Sequence, residues 1–408
     1  MKDESTSKAF DVFILHPSAF ILRGLSMQLP VYLDHAATTP VAPEVMEAMQ
    51  PYFREVYGNP ATLYSAGAQA REAVDIAREI VADEIGASPE EIYFTSGGTE
   101  ADNWALKGMA LAADNTRKHL LSSCIEHHAV LDSCLSLQKQ GFDVEFLPVD
   151  REGGVEPAEV AKRIRRETFL VSVMHANNEV GTIEPIGEIG ALCRERGVAF
   201  HTDAVQTFGR LPIDVRQSNV DLLTLSAHKL YGPKGIGALY IRRGPRIASV
   251  MDGGEQERGR RAGTLNVPGI VGLGRAVQLA QADREAESGR LSRLRDRLIE
   301  SIETNVPGAC LQGARNRRLP GNVHFCIEGV EGESLLLALD MAGVYASAGS
   351  ACTTGSVEPS HVLLAMGVEV ALARGALRLT LGRTTTEEAV DYTAERLKEI
   401  VGELRSLA

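Results

Sequence analysis

From about residue 66 the chain alternates between helix-like and strand-like apolar patterns, and this alternation limits the fold more than any other feature. Ala70, Ala73, Val74, Ala77, Ile80 and Val81 recur at helical spacing. A short apolar run at 92–94 reads as a buried strand, and similar runs occur at 169–173, 198–200, 222–225 and 238–241. Strands separated by helices predict an α/β fold, a largely parallel sheet with helices on both faces. A charged helical stretch from Asp283 to about Glu303 then divides this body from the last third, which carries its own strands and helices. The repeated Arg and Glu of that stretch read as a solvated face. The final helix is expected to open with Thr384 and Glu387 at capping-box spacing. The resulting expectation is a large domain over 46–282 and a smaller one formed by 31–45 with 283–408.

A chain of 408 residues suits two such lobes. It can bury a full core without disulfides or metals, and no metal site is expected. Its formal net charge of −12 argues against nucleic acid or an anionic membrane as a partner. No apolar run approaches the roughly 18 residues of a membrane span. Six cysteines, none in a CxxC pair, are too sparse for a disulfide scaffold and fit a reducing, cytoplasmic setting. Residues 1–30 read as an N-terminal extension, disordered or loosely docked over 1–26. The apolar segment at 9–17 comes after the acids Asp3 and Glu4 and is interrupted by Pro17, unlike a signal peptide. A translation start at Met27 is the competing reading of that region.

Three features suggest chemistry at strand ends. The turn Thr95-Ser96-Gly97-Gly98-Thr99-Glu100 lies between a strand and a helix, and a helix N-terminus with free N–H groups binds phosphate. Lys229 comes after the apolar run at 222–225 and before a glycine-rich turn. Desolvation there would lower its pKa and favour an imine. Asp203 ends the run that begins at Val198 and could pair with the ring nitrogen of an imine-forming cofactor such as pyridoxal phosphate. Ligands of open α/β sheets collect outside the carboxyl ends of strands, where all three features fall. A separate segment, Ser347-Ala348-Gly349-Ser350-Ala351-Cys352-Thr353-Thr354-Gly355-Ser356, has only small or polar residues around its cysteine. It reads as an exposed, mobile loop, where a thiol is an oxidation liability unless it has a chemical role.

At this point the sequence resembles the group I cysteine desulfurases of the class V aminotransferase superfamily, over roughly residues 31–404. The resemblance rests on Tyr32-Leu33-Asp34-His35-Ala36-Ala37-Thr38-Thr39-Pro40, the turn at 95–100, Glu126-His127-His128-Ala129-Val130 and Ala176-Asn177-Asn178-Glu179. It continues through 201–206, 226–235, Arg261-Ala262-Gly263-Thr264 and the Cys352 segment. It implies the aspartate aminotransferase-like fold type I, with a mainly parallel seven-stranded sheet and a smaller α+β domain. It also implies pyridoxal 5'-phosphate as cofactor and conversion of L-cysteine to L-alanine, the sulfur passing to Cys352 as a persulfide.

By the same resemblance Lys229 would carry the cofactor covalently, and Asp203 would hold its pyridine nitrogen. His127 would lie over the ring and assist proton transfers, with His128 structural. Gln206 and Asn178 would lie near the phenolic oxygen and the substrate. Thr99, Ser226 and His228 would bind the phosphate, with Gly98 allowing close approach. Thr264 would reach the phosphate of a neighbouring subunit, which implies a homodimer. Arg378 would bind the substrate carboxylate, for which a guanidinium fork is suited. A protein sulfur acceptor is implied, a cluster scaffold or sulfur carrier serving iron–sulfur cluster, cofactor or tRNA biosynthesis. Ala61, Tyr64 and Glu255 depart from the serine, histidine and glycine usual in the family. Within the superfamily an aminotransferase would not need Cys352, whereas a selenocysteine lyase would use similar chemistry.

Overall fold

The computed structural model describes residues 30–113, 116–349 and 359–407. Seven strands form the main sheet: β1 (Ile92–Thr95), β2 (His119–Ser123), β3 (Asp143–Leu147), β4 (Thr168–Ser172), β5 (Ala199–Asp203), β6 (Leu222–Ser226) and β7 (Gly237–Ile241). Their order is β1-β7-β6-β5-β4-β2-β3. Every neighbouring pair is parallel except the two made by β7, which runs against both β1 and β6. The five apolar runs all fall on strands. β2 and β3 were not anticipated, because β2 carries His119, Ser122 and Ser123 and β3 is an edge strand with Asp143 exposed.

Alternation along the strands explains the layering. Phe94, Leu121, Val171, Phe200, Leu223 and Tyr240 face one core. There they meet α1 (Ser65–Glu84), α4 (Ile186–Arg196) and the first half of α5 (Val267–Asn305). Their chain neighbours Tyr93, Leu120, Leu170, Leu222, Leu239 and Ile241 face the other side, against α2 (Gly98–Ala112) and α3 (His128–Lys139). Both faces are covered, as buried runs without polar alternation require.

The helix α5 is 39 residues long and serves two cores. Ile270, Leu273 and Val277 pack under the main sheet. Leu294, Leu298, Ile299 and Ile302 pack in a second core with β8 (Ala309–Leu311), β9 (Asn322–Ile327), β10 (Ala376–Thr380), α6 (Gly332–Met341) and α7 (Glu387–Leu407). The strands there form an antiparallel sheet in the order β10-β9-β8. Val31 and Leu33 belong to this second core, whereas Ala42, Val45 and Met49 belong to the first. The chain therefore crosses between the cores twice, once in residues 33–42 and once inside α5. The last helix is capped by Thr386, whose Oγ1 accepts from the Ala389 N–H at 3.2 Å, two residues beyond the expected Thr384. Among the described residues no helix is long and apolar enough to cross a membrane.

Candidate active site

β7 runs antiparallel to its neighbours, so β1 and β6 point the same way and end side by side. Thr95 and Ser226 are both in register with Gly237 at the start of β7. Asp203 ends the next strand in the same direction. The phosphate-type turn, Ser226 and Asp203 thus lie along one edge of the sheet. They border a cavity of about 340 Å³ that is also lined by Gly98, Thr99, His127, Asn178, Gln206, His228, Lys229 and Arg378. The structure brings together every site residue expected from the sequence except Thr264 and Cys352. Thr264 is exposed, in the connection between β7 and α5, and does not line this cavity. Cys352 lies outside the described residues.

Lys229 sits just past β6 in a single helical turn, Ala227–Lys229. Its Nζ donates to the carbonyls of Ala36 and Ala37 at 2.6 and 2.7 Å. Burial, reinforced by the nearby Arg378 and Arg210 guanidiniums, brings its pKa down to about 8, although Asp34 and Asp203 oppose the shift. A buried amine that resists protonation is the arrangement an imine-forming lysine needs. Asp203 accepts from the Val205 N–H at 2.8 Å, and burial pushes it up to about 6 against that bond and against Lys229. Beneath it Asp102, one turn into α2, is raised by burial and by the Asp203 charge.

His127 is the N-cap of α3, and its Nδ1 accepts from the Ala129 N–H at 3.1 Å, which places the ring proton on Nε2. Burial and then Lys229 hold its pKa near 4, so the imidazole is neutral at neutral pH. His228 is likewise lowered to about 4 by burial, and its Nδ1 meets the Thr38 hydroxyl at 3.1 Å. Gln206 donates through Nε2 to the Ala36 carbonyl at 3.0 Å, leaving its buried Oε1 without a partner among the described residues.

Arg378 is on β10 and is only 2% exposed, unlike the surface ion pair that a strand-end arginine commonly makes. Nη2 binds Asp34 Oδ1 at 2.8 Å, and Nη1 donates to the Asn178 carbonyl at 3.0 Å and to the Gly349 carbonyl at 3.3 Å. Its Nε is buried without a partner among the described residues. The guanidinium is held rigidly at the cavity wall with a donor to spare.

Pyridoxal phosphate fits these residues. Gly98 at the start of α2 faces Val205 so closely that a Cβ would lie 2.9 Å from Val205 Cγ2, which keeps the turn open for an anion at the helix N-terminus. The buried acid Asp203, the amine Lys229 and the unpartnered Gln206 Oε1 match a ring nitrogen, an aldehyde and a hydroxyl respectively. Among the described residues no group of acid, histidine and cysteine side chains could hold a metal.

Other features were not legible in advance. The segment at 34–37 forms the wall behind Lys229 through its carbonyls, and alanines give no sign of that. Asp34 holds Arg378, and His361 lines the cavity with its ring 5.1 Å from that of His128, so His128 is also a cavity residue. The segment carrying Thr264 is anchored by two ion pairs. Glu257 binds Arg78 through both oxygens at 2.7 and 2.8 Å and accepts from the Phe94 N–H at 2.9 Å. Arg261 grips Glu100 of the glycine turn at 2.7 and 3.0 Å. Glu257 and Arg258 adopt φ of 44° and 59°, a left-handed pair of non-glycine residues that these anchors impose.

Comparison with known proteins finds a family for the chain. The family model for class-V aminotransferases matches residues 31–393. The cysteine desulfurase IscS of Methanosarcina thermophila is 54% identical over 378 residues, covering 93% of each chain. The cysteine desulfurase IscS of Dictyoglomus turgidum is 50% identical over 382 residues, covering 94% of this chain and 97% of its own. Among solved structures, a NifS-like protein superimposes with a TM-score of 0.87 at 39% identity, covering 92% of this chain and 100% of its own. SspA in complex with cysteine gives 0.78 at 38% identity, covering 86% and 98%.

Proposed function

Because the chain belongs to the class-V aminotransferase family, and within it to the cysteine desulfurases, we propose that it converts L-cysteine to L-alanine and passes the sulfur to Cys352 as a persulfide. The observation that carries this reading is the convergence of Lys229, Asp203 and Arg378 on one buried cavity.

Pyridoxal 5'-phosphate, when bound, supplies an aldehyde for an amine and an electron sink for a carbanion at the substrate α-carbon. Lys229 would hold it covalently, Asp203 would pair with its ring nitrogen, and Gln206 and Asn178 would lie near its hydroxyl and the substrate. Gly98, Thr99, Ser226 and His228 would receive its phosphate. The Lys229 amine, with its depressed pKa, takes the substrate's α-proton. Arg378 fixes the substrate carboxylate, and neutral His127 offers a proton from Nε2 on the cavity side of α3. The Cys352 thiolate attacks the substrate sulfur, and the carbon–sulfur bond pair stays on carbon and is protonated. Cysteine plus one thiol thereby gives alanine plus one persulfide, without an external oxidant. Gly349 precedes Cys352 by three residues, so the two α-carbons are no more than about 11 Å apart. Gly349 itself touches Arg378 and borders the cavity.

The protein acts as a homodimer, each Thr264 serving the other subunit's phosphate. Thr264 is exposed, and Tyr57, Leu63 and Tyr64 present large apolar surfaces at 77, 94 and 58% exposure, which supports an interface. The chain is divided into a large cofactor-binding domain and a smaller one that carries the Cys352 segment. A cytoplasmic protein receives the sulfur for iron–sulfur cluster, cofactor or tRNA synthesis.

The test is incubation of holoenzyme with L-cysteine and a reductant, with alanine and sulfide measured together. Equal amounts of both are expected, and Cys352→Ser should keep the visible cofactor band while losing sulfide. Alanine without sulfide or persulfide refutes the desulfurase reading. Undiminished sulfide from Cys352→Ser refutes the role of that thiol.

A further inference from the structure

Glu179 has no part in the desulfuration chemistry, yet it is 3% exposed and borders the cavity. Its backbone is fixed on both sides. Asn177 Oδ1 accepts from the Glu179 and Val180 N–H groups at 2.9 and 3.0 Å. The Glu179 carbonyl accepts from Asn322 Nδ2 at 2.9 Å and His324 Nδ1 at 3.1 Å, both on β9.

The side chain then meets two separate parts of the chain with one atom. Glu179 Oε2 accepts from the Ser360 hydroxyl at 2.5 Å. The same oxygen packs on Gly349, where a Cβ would lie 2.9 Å away and where φ is +101°. No other residue type fits at Gly349 without strain. Ser360 uses its remaining capacity as N-cap of the short helix His361–Ala365, accepting from Val362 N and Leu363 N at 3.1 and 3.4 Å. The Gly349 carbonyl accepts from Arg378 Nη1, which also donates to the carbonyl of Asn178, the residue before Glu179.

We propose that Glu179 is a positioning residue for sulfur transfer, one carboxyl oxygen bonding Ser360 while standing against Gly349 beside the substrate arginine. The proposal rests on the assignment of Arg378 to the substrate carboxylate and of Cys352 to the sulfur. Gly349 and Ser360 flank in sequence the stretch that carries the thiol, so a shift of either would move an end of that stretch. Glutamine at 179 keeps an acceptor of the same length, whereas alanine removes it.

The experiment uses holoenzyme of the wild type, Glu179→Ala, Glu179→Gln, Ser360→Ala and Glu179→Ala/Ser360→Ala. Three quantities are read: the visible cofactor band, the spectral change on titrating L-alanine, and the rate of persulfide formation on Cys352 in a single turnover, monitored by mass spectrometry. Glu179→Ala should keep the band and bind L-alanine within about threefold of wild type, yet form persulfide at least about tenfold more slowly, as misplacement of a reacting group does. Glu179→Gln should recover to within about threefold of the wild-type rate. Ser360→Ala should also slow the step, and the double variant should lose less than the product of the two single losses, because both changes remove the Glu179–Ser360 bond. Wild-type rates in Glu179→Ala, multiplicative losses in the double variant, or loss of the cofactor band would each overturn the proposal. Should Glu179→Ala fail to fold, an unaltered persulfide rate in Ser360→Ala overturns it instead. Absence of persulfide in the wild type would fail the desulfurase reading, and this proposal with it.

Discussion

Loading of the cofactor should depend on pH in a way set by the surroundings of Lys229. Only the neutral amine condenses with an aldehyde. With a pKa of about 8, roughly 9% of the amine is neutral at pH 7 and roughly 91% at pH 9. The second-order rate of loading should therefore rise about tenfold between pH 7 and 9 and then level off. An ordinary lysine, with a pKa near 10.4, would instead gain about 100-fold over the same interval and still be climbing at pH 10. The assay is stopped-flow absorbance of apoprotein mixed with pyridoxal phosphate from pH 6.5 to 10. The same series with a free lysine derivative divides out the aldehyde's own titration. A second perturbation fixes the cause. Asp34→Asn removes a carboxylate that favours the charged amine, so the plateau should move to lower pH. A corrected rate that rises about 100-fold from pH 7 to 9 and is still climbing at pH 10 would refute the claim that burial and the two guanidiniums depress this amine.

Two further outcomes are expected. Arg378→Gln should lower kcat/KM for L-cysteine by about 10–150-fold, the worth of a charge-assisted contact of about 1.5–3 kcal/mol. The cofactor band should be unchanged, and a loss below threefold would remove Arg378 from substrate binding. Glu257→Ala strands the buried Arg78 and the Phe94 N–H, costing about 3–5 kcal/mol, so Tm should fall by about 5–10 °C. Glu257→Leu combined with Arg78→Met should recover more than half of that, and a Tm within 1 °C of wild type for Glu257→Ala would contradict the anchoring of the Thr264 segment.

Much of the architecture was legible because buried parallel strands have an unmistakable composition. The runs at 92–94 and 222–225 predicted both the strands and, through the residues immediately after each run, the glycine turn and Lys229. Direction was not legible: nothing in residues 237–241 distinguishes a strand that runs against its neighbours from one that runs with them. Yet that reversal is what brings Thr95 and Ser226 level at one edge. Side chains expected to carry chemistry, such as Asp203 and Arg378, do line one cavity. Roles played by the backbone were not, since every residue has a carbonyl and Ala36 and Ala37 look like filler. Glu179 stood within a matching segment, but its function depends on residues roughly 170 and 181 positions later, a proximity that only folding creates.

The long helix α5 has a mechanical meaning. At 39 residues it is a rod of about 58 Å, rooted in both cores without a break. A rod does not pivot at its middle as a loop would, so rocking of one core against the other has to bend it or be taken up by the second crossing. That second crossing is the segment between Leu33 and Ala42, whose carbonyls grip the Lys229 amine. The rod and this segment are thus separate links between the cores, and the segment borders the cavity through Ala36 and Ala37. A shift of one core against the other would therefore act on the two carbonyls that hold the Lys229 amine.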